Sequence, residues 1–340
     1  MDPSAGFPTL AARIAAGFGV DVALVEAVDH GADPRADLVH VVATDGREYA
    51  AKSSIGPQPG LAVAALLARH RVPGVPGPVP ARDGGLTAGA DGDRTRLSLV
   101  PWVRGRRVLD TGMAPGEWMR LGALLGRVHT TSTNGSELSA VPVETHDPTA
   151  VVEQAQALGV VVEHAVRASV DDPVAVEAAA LWEAHGPRLL AVADRAAQLA
   201  SSCAWAEASF VLCHGDPHHG NLLVDESGEV HLIDWDDAVV APRESDLMFV
   251  VGGVFSHSPI TDDQVRWFFD GYAPLTGIGL DHLDHDLLTY LRSVRALVDV
   301  LDLLAAALAV SDHPPGDRRE ALHYARGTLG PNGLVDLALA

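Results

Sequence analysis

Lysine is almost missing from this chain: Lys52 stands alone beside 23 arginines among 24 basic residues. Cysteine is nearly absent too, and Cys203 and Cys213 cannot make a disulfide framework. Bases are outnumbered by 45 acids, giving a formal net charge of −21. Such a surface repels nucleic-acid phosphates, and no basic stripe with interleaved aromatics relieves it, so no nucleic-acid partner is expected. Uninterrupted apolar runs of membrane-spanning length are missing as well. The best candidate, 297–310, is broken by Asp299 and Asp302 and reads as a core helix, so no membrane partner is expected. The opening Met1-Asp2-Pro3-Ser4 has no basic n-region, and cytoplasmic residence is the expectation.

What is present begins with that one lysine. It closes the run Tyr49-Ala50-Ala51-Lys52, just after an Asp45-Gly46 turn. A guanidinium is a broad planar fork, whereas an ammonium is a compact point charge on a flexible stem that can reach phosphate oxygens in a narrow cleft. Lys52 is therefore a site candidate, or else a chance survivor of codon bias; the residue alone leaves both open. At 340 residues, 47% apolar and 20% charged, the chain is a folded globular protein of two domains or lobes. The acidic balance suits a cationic, polyamine-like ligand and equally a plain soluble surface.

The first hundred residues read as a small β-rich lobe. Strands are predicted over 20–28, 36–43 and 48–52, with Thr44-Asp45-Gly46-Arg47 as a hairpin turn. A helix is predicted over 61–70, then a Pro/Gly-rich connector over 72–80. A further strand pair flanks Asp91-Gly92-Asp93, its second member over 95–100. After Val100-Pro101-Trp102-Val103-Arg104-Gly105 helical periodicity takes over, at 117–129, 149–168, 174–200, 264–272 and 287–310. The fold class is α+β, with an N-terminal lobe over 1–100, a hinge over 101–105 and a mostly helical lobe over 106–340.

One β island lies in the helical half. Residues 222–225 and 230–233 flank Glu226-Ser227-Gly228-Glu229 as a hairpin. Pairing Asp225 with Val230 sets Asn221 across from Asp234, whether the loop has four residues or two. Oxygen ligands from adjacent strand ends suit a Mg²⁺ bound to nucleotide phosphates. Ahead of the hairpin runs His214-Gly215-Asp216-Pro217-His218-His219-Gly220-Asn221. Asp216 and Asn221 have the spacing of a kinase catalytic loop, and Asp234, in Ile233-Asp234-Trp235-Asp236, follows where a second metal acid belongs.

Residues 214–221 resemble the HGDxHxxN loop of the aminoglycoside phosphotransferase and choline-kinase-like superfamily, and 233–235 resemble its IDW/IDF metal motif. Residues 241–249 are similar to the corresponding segment of spectinomycin phosphotransferases, and 121–129 to the superfamily's LGxxLxxLH helix. The resemblance runs from about Val20 to Leu304. It implies a bilobal, protein-kinase-like fold and an ATP- (or GTP-) and Mg²⁺-dependent O-phosphotransferase. Its acceptor would be a hydroxyl of a small, cationic molecule, an aminoglycoside or aminocyclitol antibiotic, and the activity would confer resistance. By the same resemblance Lys52 holds the α/β phosphates and the backbone of Val100, Trp102 and Val103 meets the adenine. Asn221 and Asp234 bind the metal, Asp216 orients or deprotonates the acceptor, and His214 braces the loop. Monomer and homodimer are both compatible.

Two departures stand out. No Glu occurs between Glu48 and Glu117, and 61–70 has no acid, so Lys52 lacks the helix glutamate that holds such a lysine in kinases. The segment His30-Gly31-Ala32-Asp33-Pro34 has no GxGxxG loop. Asp236 reads as a turn cap or as a second metal-side acid, with the cap preferred. His218 is expected to bond within the loop, His219 to face solvent, Trp102 to pack the hinge against the helical lobe, and Cys213 to be a small apolar residue. Acids in the C-terminal half (262, 263, 270, 281, 284, 286) line a pocket for a cationic substrate or are solvated helix surface. A zinc hydrolase built on His214, Asp216, His218 and His219 would leave Lys52 and the hairpin unexplained. A metabolic kinase for choline, homoserine or a sugar, and a catalytically silent nucleotide-binding module, remain the alternatives.

Overall fold

The structure, a computed structural model, describes residues 7–28, 37–89, 95–168, 171–203, 205, 208–308 and 315–340. The segments 30–34 and 91–93 singled out above lie outside the described residues.

In chain order, α1 (Phe7–Phe18) precedes β1 (Val22–Ala27), β2 (Asp37–Ala43), β3 (Glu48–Ile55), α2 (Pro59–Arg69) and β4 (Thr95–Pro101). The short β5 (Arg106–Arg107) and α3 (Val108–Thr111) lead into α4 (Pro115–His129), α5 (Thr149–Ala168) and α6 (Pro173–Ser202). Then come β6 (Phe210–Cys213), β7 (Leu222–Val224), β8 (Val230–Leu232), β9 (Val239–Pro242) and α7 (Glu244–Leu247). Helices α8 (Asp262–Thr276), α9 (His285–Leu308), α10 (Pro315–Leu329) and α11 (Leu334–Leu339) follow. The fold class is α+β, as the sequence pattern requires. Two compact units result: residues 1–142 with 214–240, and residues 143–213 with 241–340.

In the first unit β1 to β4 form one antiparallel sheet in sequence order. The β2–β3 turn closes with Gly46 at φ +84 and its N–H donating to Ala43 O at 3.0 Å, a conformation glycine takes without steric cost. Side chains alternate across a strand. Tyr49 and Ala51 face a core shared with Ile14 and Phe18 of α1 and with Val41, Leu97 and Leu99, so Lys52 faces the other way. Of the strand expected before 91–93, the described residues form a bridge between Ala88 and Leu97, preceded by a turn at Gly84-Gly85.

The hairpin register is corrected by one residue. Leu222 pairs with Leu232 and Val224 with Val230, so Asn221 lies across from Ile233, whose N–H donates to Asn221 O at 3.0 Å. The cause is the loop: Asp225 N–H bonds Glu229 O at 3.1 Å and Gly228 sits at φ +79, a three-residue loop with a left-handed third residue. Loops of two or four residues give the other register. Asp225 fixes the turn by accepting from the N–H groups of Ser227 and Glu229 and from His231.

The second unit is a helical cluster. Helices α5, α6, α9, α10 and α11 share one apolar core that includes Leu158, Val192, Leu297, Leu322 and Leu334. Helix α6 starts where Asp172 accepts from the Val174 N–H at 3.2 Å, with Pro173 in its first turn. Helix α8 has a reciprocal cap between Thr261 and Gln264 and ends at Gly277, φ +73. Strand β6 pairs with β9, whose last two residues belong to this unit. The six acids 262, 263, 270, 281, 284 and 286 are all exposed. No helix among the described residues is long and apolar enough to cross a membrane.

Candidate active site

Three backbone features aim the side chains of the first unit at one another. Strand β3 carries Lys52 out on the face opposite its core. The segment after β8 leaves the hairpin through Asp234, which takes the left-handed conformation at φ +61, one that non-glycine residues adopt at a cost. The loop before β7 turns at Gly215, φ +86.

Lys52 meets two carboxylates. Its Nζ donates to Asp234 Oδ1 at 3.0 Å and to Asp236 Oδ2 at 2.7 Å. Burial of this ammonium favours its neutral form, but the charges of Asp234 and Asp236 outweigh burial and hold its pKa above the ordinary lysine value. It is therefore a fixed cation at neutral pH. Asp236, preferred above as a turn cap, is instead a partner of Lys52. The cap reading failed because its carboxylate reaches across to another strand, a contact no local pattern encodes.

The loop residues are tied in sequence. The Asn221 Nδ2 amide donates to Asp216 O at 2.9 Å and approaches Asp216 Oδ2 at 3.4 Å. This orientation leaves Asn221 Oδ1 as the oxygen for a hard cation. His214 is fully buried. Its Nε2 lies 3.0 Å from Ile233 O, and its Nδ1 accepts from the Asp216 N–H at 3.2 Å, so one imidazole joins the loop to the hairpin end. His218 Nδ1 accepts from the Gly220 N–H at 2.8 Å while its Nε2 stands 3.4 Å from Asp216 Oδ2. His219, expected in solvent, lies edge-on to Trp118 with ring centroids 5.6 Å apart. Burial of the ring there, with the charge of His218 adding to it, lowers its pKa to about 4.

At the expected hinge, Val100 pairs with Ala50 across β3–β4. The Trp102 N–H is committed to Glu48 O at 2.9 Å, and its ring lies over His40 at 4.4 Å. Trp102 thus packs on β2, with its backbone held to Glu48, the first residue of β3. Val103 follows it, and the Arg104 guanidinium pairs with Glu48. Cys213, in the other unit, is fully buried; burial and then Asp246 push its thiol far above the ordinary value. It is an inert core residue, as expected.

Two glycines to which the sequence reading gives no separate role sit behind the site. A Cβ on Gly60 would stand 1.7 Å from Trp235 O and 3.2 Å from the Asp236 N, and one on Gly215 would stand 2.1 Å from Asp237 O. Each is a point where backbone meets backbone behind the Asp234–Asp237 segment. The sequence signals are a Pro-Gly pair at a helix start for Gly60 and, for Gly215, its place in the 214–221 loop. Together the residues offer a fixed cation for polyphosphate, carboxylate and amide oxygens for a hard metal, and a further carboxylate, Asp216, beside them.

A family model described as "Phosphotransferase enzyme family" matches residues 25–281. Among solved structures, spectinomycin phosphotransferase APH(9)-Ia in complex with ADP and spectinomycin is similar at a TM-score of 0.79 and 21% identity, covering 98% of this chain and 97% of that one. Amicoumacin kinase hAmiN in complex with AMP-PNP, Ca²⁺ and Ami is similar at a TM-score of 0.62 and 16% identity, over 96% of this chain and 92% of that one. The macrolide 2'-phosphotransferase MphH from Brachybacterium faecium is similar at 0.55 and 16%, over 96% and 98%. At these identities the likeness is one of fold, with an antiparallel N-terminal sheet and a helical C-terminal part. No curated protein matches the sequence.

Proposed function

Because the chain belongs to the phosphotransferase enzyme family and is a small-molecule phosphotransferase, we propose that it moves the γ-phosphoryl group of ATP, with Mg²⁺, to a hydroxyl of an aminoglycoside or aminocyclitol antibiotic of the spectinomycin type, and so confers resistance. The observation that carries the reading is the Lys52 ammonium held at 3.0 Å by Asp234, a residue 182 positions away. Charge of both signs collected at one point is what a metal triphosphate needs, and an ion pair whose carboxylates are partly exposed contributes little to stability by itself. The similarity of 241–249 to spectinomycin phosphotransferases and the net charge of −21 support a cationic aminocyclitol as acceptor.

In this reading ATP lies against the backbone of 100–103, with Lys52 on the α/β phosphates. Asn221 and Asp234 would hold Mg²⁺, which when bound draws charge from the phosphate oxygens. Asp216 takes the acceptor proton and fixes the hydroxyl in line with the phosphorus. His214, bonded to both loop and hairpin, keeps Asp216 in register with Asp234.

The test is a nucleotide-consumption screen over aminocyclitols, aminoglycosides, nucleoside antibiotics, choline, homoserine and small sugars. Turnover with spectinomycin or a relative is the expected result. Turnover with choline or a sugar alone would replace the antibiotic by a metabolic substrate, and no turnover with any alcohol would favour a silent module. In the same assay Asn221→Ala and Asp234→Ala should each raise the Mg²⁺ concentration for half-maximal rate about tenfold or more; an unchanged titration would remove both from the metal site. Lys52→Arg should lose at least tenfold in kcat/KM for ATP despite conserving charge, because the planar fork does not occupy the ammonium's point between two carboxylates.

A further inference from the structure

We propose that Asp236 is the positioning residue for Lys52, holding the ammonium where the nucleotide meets it once Asp234 is engaged by metal. The inference rests on the reading of Asp234 as a metal ligand and goes beyond it, since that reading gives Asp236 no task. An ammonium on four methylenes has rotamer freedom that must be removed before it can serve as a fixed charge. The neighbouring elements supply few anchors. Its cross-strand partners are Leu38 on β2 and Ser98 on β4, the latter donating to the Lys52 carbonyl. Helix α2, Pro-Gly-Leu-Ala-Val-Ala-Ala-Leu-Leu-Ala-Arg, carries no acid. Among the described residues the carboxylates in ion-pair range are Asp234 and Asp236. A metal that draws on Asp234 withdraws that oxygen's charge from Lys52, so the 2.7 Å contact to Asp236 is what remains.

The backbone is built to keep Asp236 in place. The first turn of α2 lies against the Trp235–Asp236 peptide so closely that position 60 has no room for a side chain. Where an acid on that helix would reach down to the lysine, this chain brings the helix backbone down instead and supplies the carboxylate from the strand exit beneath it. The absent helix acid and the crowded Gly60 are then two sides of one arrangement.

Lys52 is the sole lysine, so ¹⁵N-lysine labelling gives one side-chain ammonium resonance, a readout independent of turnover. In the full-length protein at saturating Mg²⁺ and ADP, Asp236→Asn should broaden or shift that resonance more than Asp234→Asn does. Hydrolysis of Mg·ATP without acceptor should lose tenfold or more in kcat in Asp236→Asn, with KM for ATP changed less than threefold. Asp236→Glu should recover most of the rate. A wild-type resonance and wild-type kcat in Asp236→Asn would overturn the proposal, as would an Asp236→Glu variant no better than Asp236→Asn. Wild-type protein that neither binds nor hydrolyses Mg·ATP would overturn the phosphotransfer reading instead, while the nucleotide-free resonance would still report whether Asp236 holds the ammonium.

Discussion

Replacing Asp216 by alanine should cut phosphoryl transfer by two to four orders of magnitude and leave ATP binding within a few-fold of wild type. The asymmetry follows from what Asp216 touches. Its carboxylate meets Asn221 Nδ2 and His218 Nε2, and its N–H bonds His214; Lys52, Asp234 and Asp236 form a separate ion-paired group, which the proposed function assigns to the nucleotide. If Asp216 positions and deprotonates the acceptor, as proposed, removing it takes away an interaction made in the transition state, so kcat falls and nucleotide affinity does not. The measurement is single-turnover phosphoryl transfer beside calorimetric ATP binding. A variant with near-normal kcat would deny Asp216 the role, and joint loss of both would mean that the loop itself had collapsed. Asp216→Asn separates these outcomes, because it keeps the shape and the contact to His218 while removing the basic oxygen.

Much of this site is legible in the residues. One lysine among the bases, the Asp216–Asn221 spacing and an Ile-Asp-Trp after a hairpin are local features, and local features survive translation into a linear pattern. The four-stranded sheet and the main helices are legible for the same reason, since period 2 and period 3.6 are written in neighbouring residues. What escapes depends on parity or on distance. The hairpin register turned on whether the loop held an odd or an even number of residues, and only the left-handed conformation of Gly228 decides it. Asp236 looks like any turn aspartate until β3 is laid beside it. Helix α10 was missed because Arg318, Arg319 and Glu320 mask its buried face, yet Arg318 is itself buried, paired with Asp172 and donating to Ala307 O. Helix α1 was passed over because its role is to cover the sheet's core, which is visible only once Ile14 and Phe18 meet Val41 and Leu99.

Gly215 offers a test of how far the loop's backbone, rather than its side chains, fixes the chemistry, and Gly84 supplies the control. Both sit at φ +86, so alanine at either incurs the left-handed penalty of about 1 kcal/mol. They differ in what the new methyl would meet. At Gly84 nothing lies within 4 Å, whereas at Gly215 the Asp237 carbonyl oxygen is 2.1 Å from the ideal Cβ and its carbonyl carbon 2.9 Å. Backbone cannot rotate aside as a side-chain end can, so Gly215→Ala must push the loop and the 234–237 segment apart. Gly84→Ala should lower stability by roughly 1 kcal/mol and leave turnover untouched, while Gly215→Ala should cost about 3 kcal/mol or more. The displaced segment carries Asp234 and Asp236, and the displaced loop carries Asp216. Turnover in Gly215→Ala should therefore fall at least a hundredfold even at temperatures where thermal melting shows the variant fully folded. Equal melting shifts for the two variants would mean that the close approach to Asp237 is not a constraint. A folded Gly215→Ala enzyme with normal turnover would mean that catalysis tolerates a separation of loop and strand exit, against the premise that Asp216 must be held in register with Asp234.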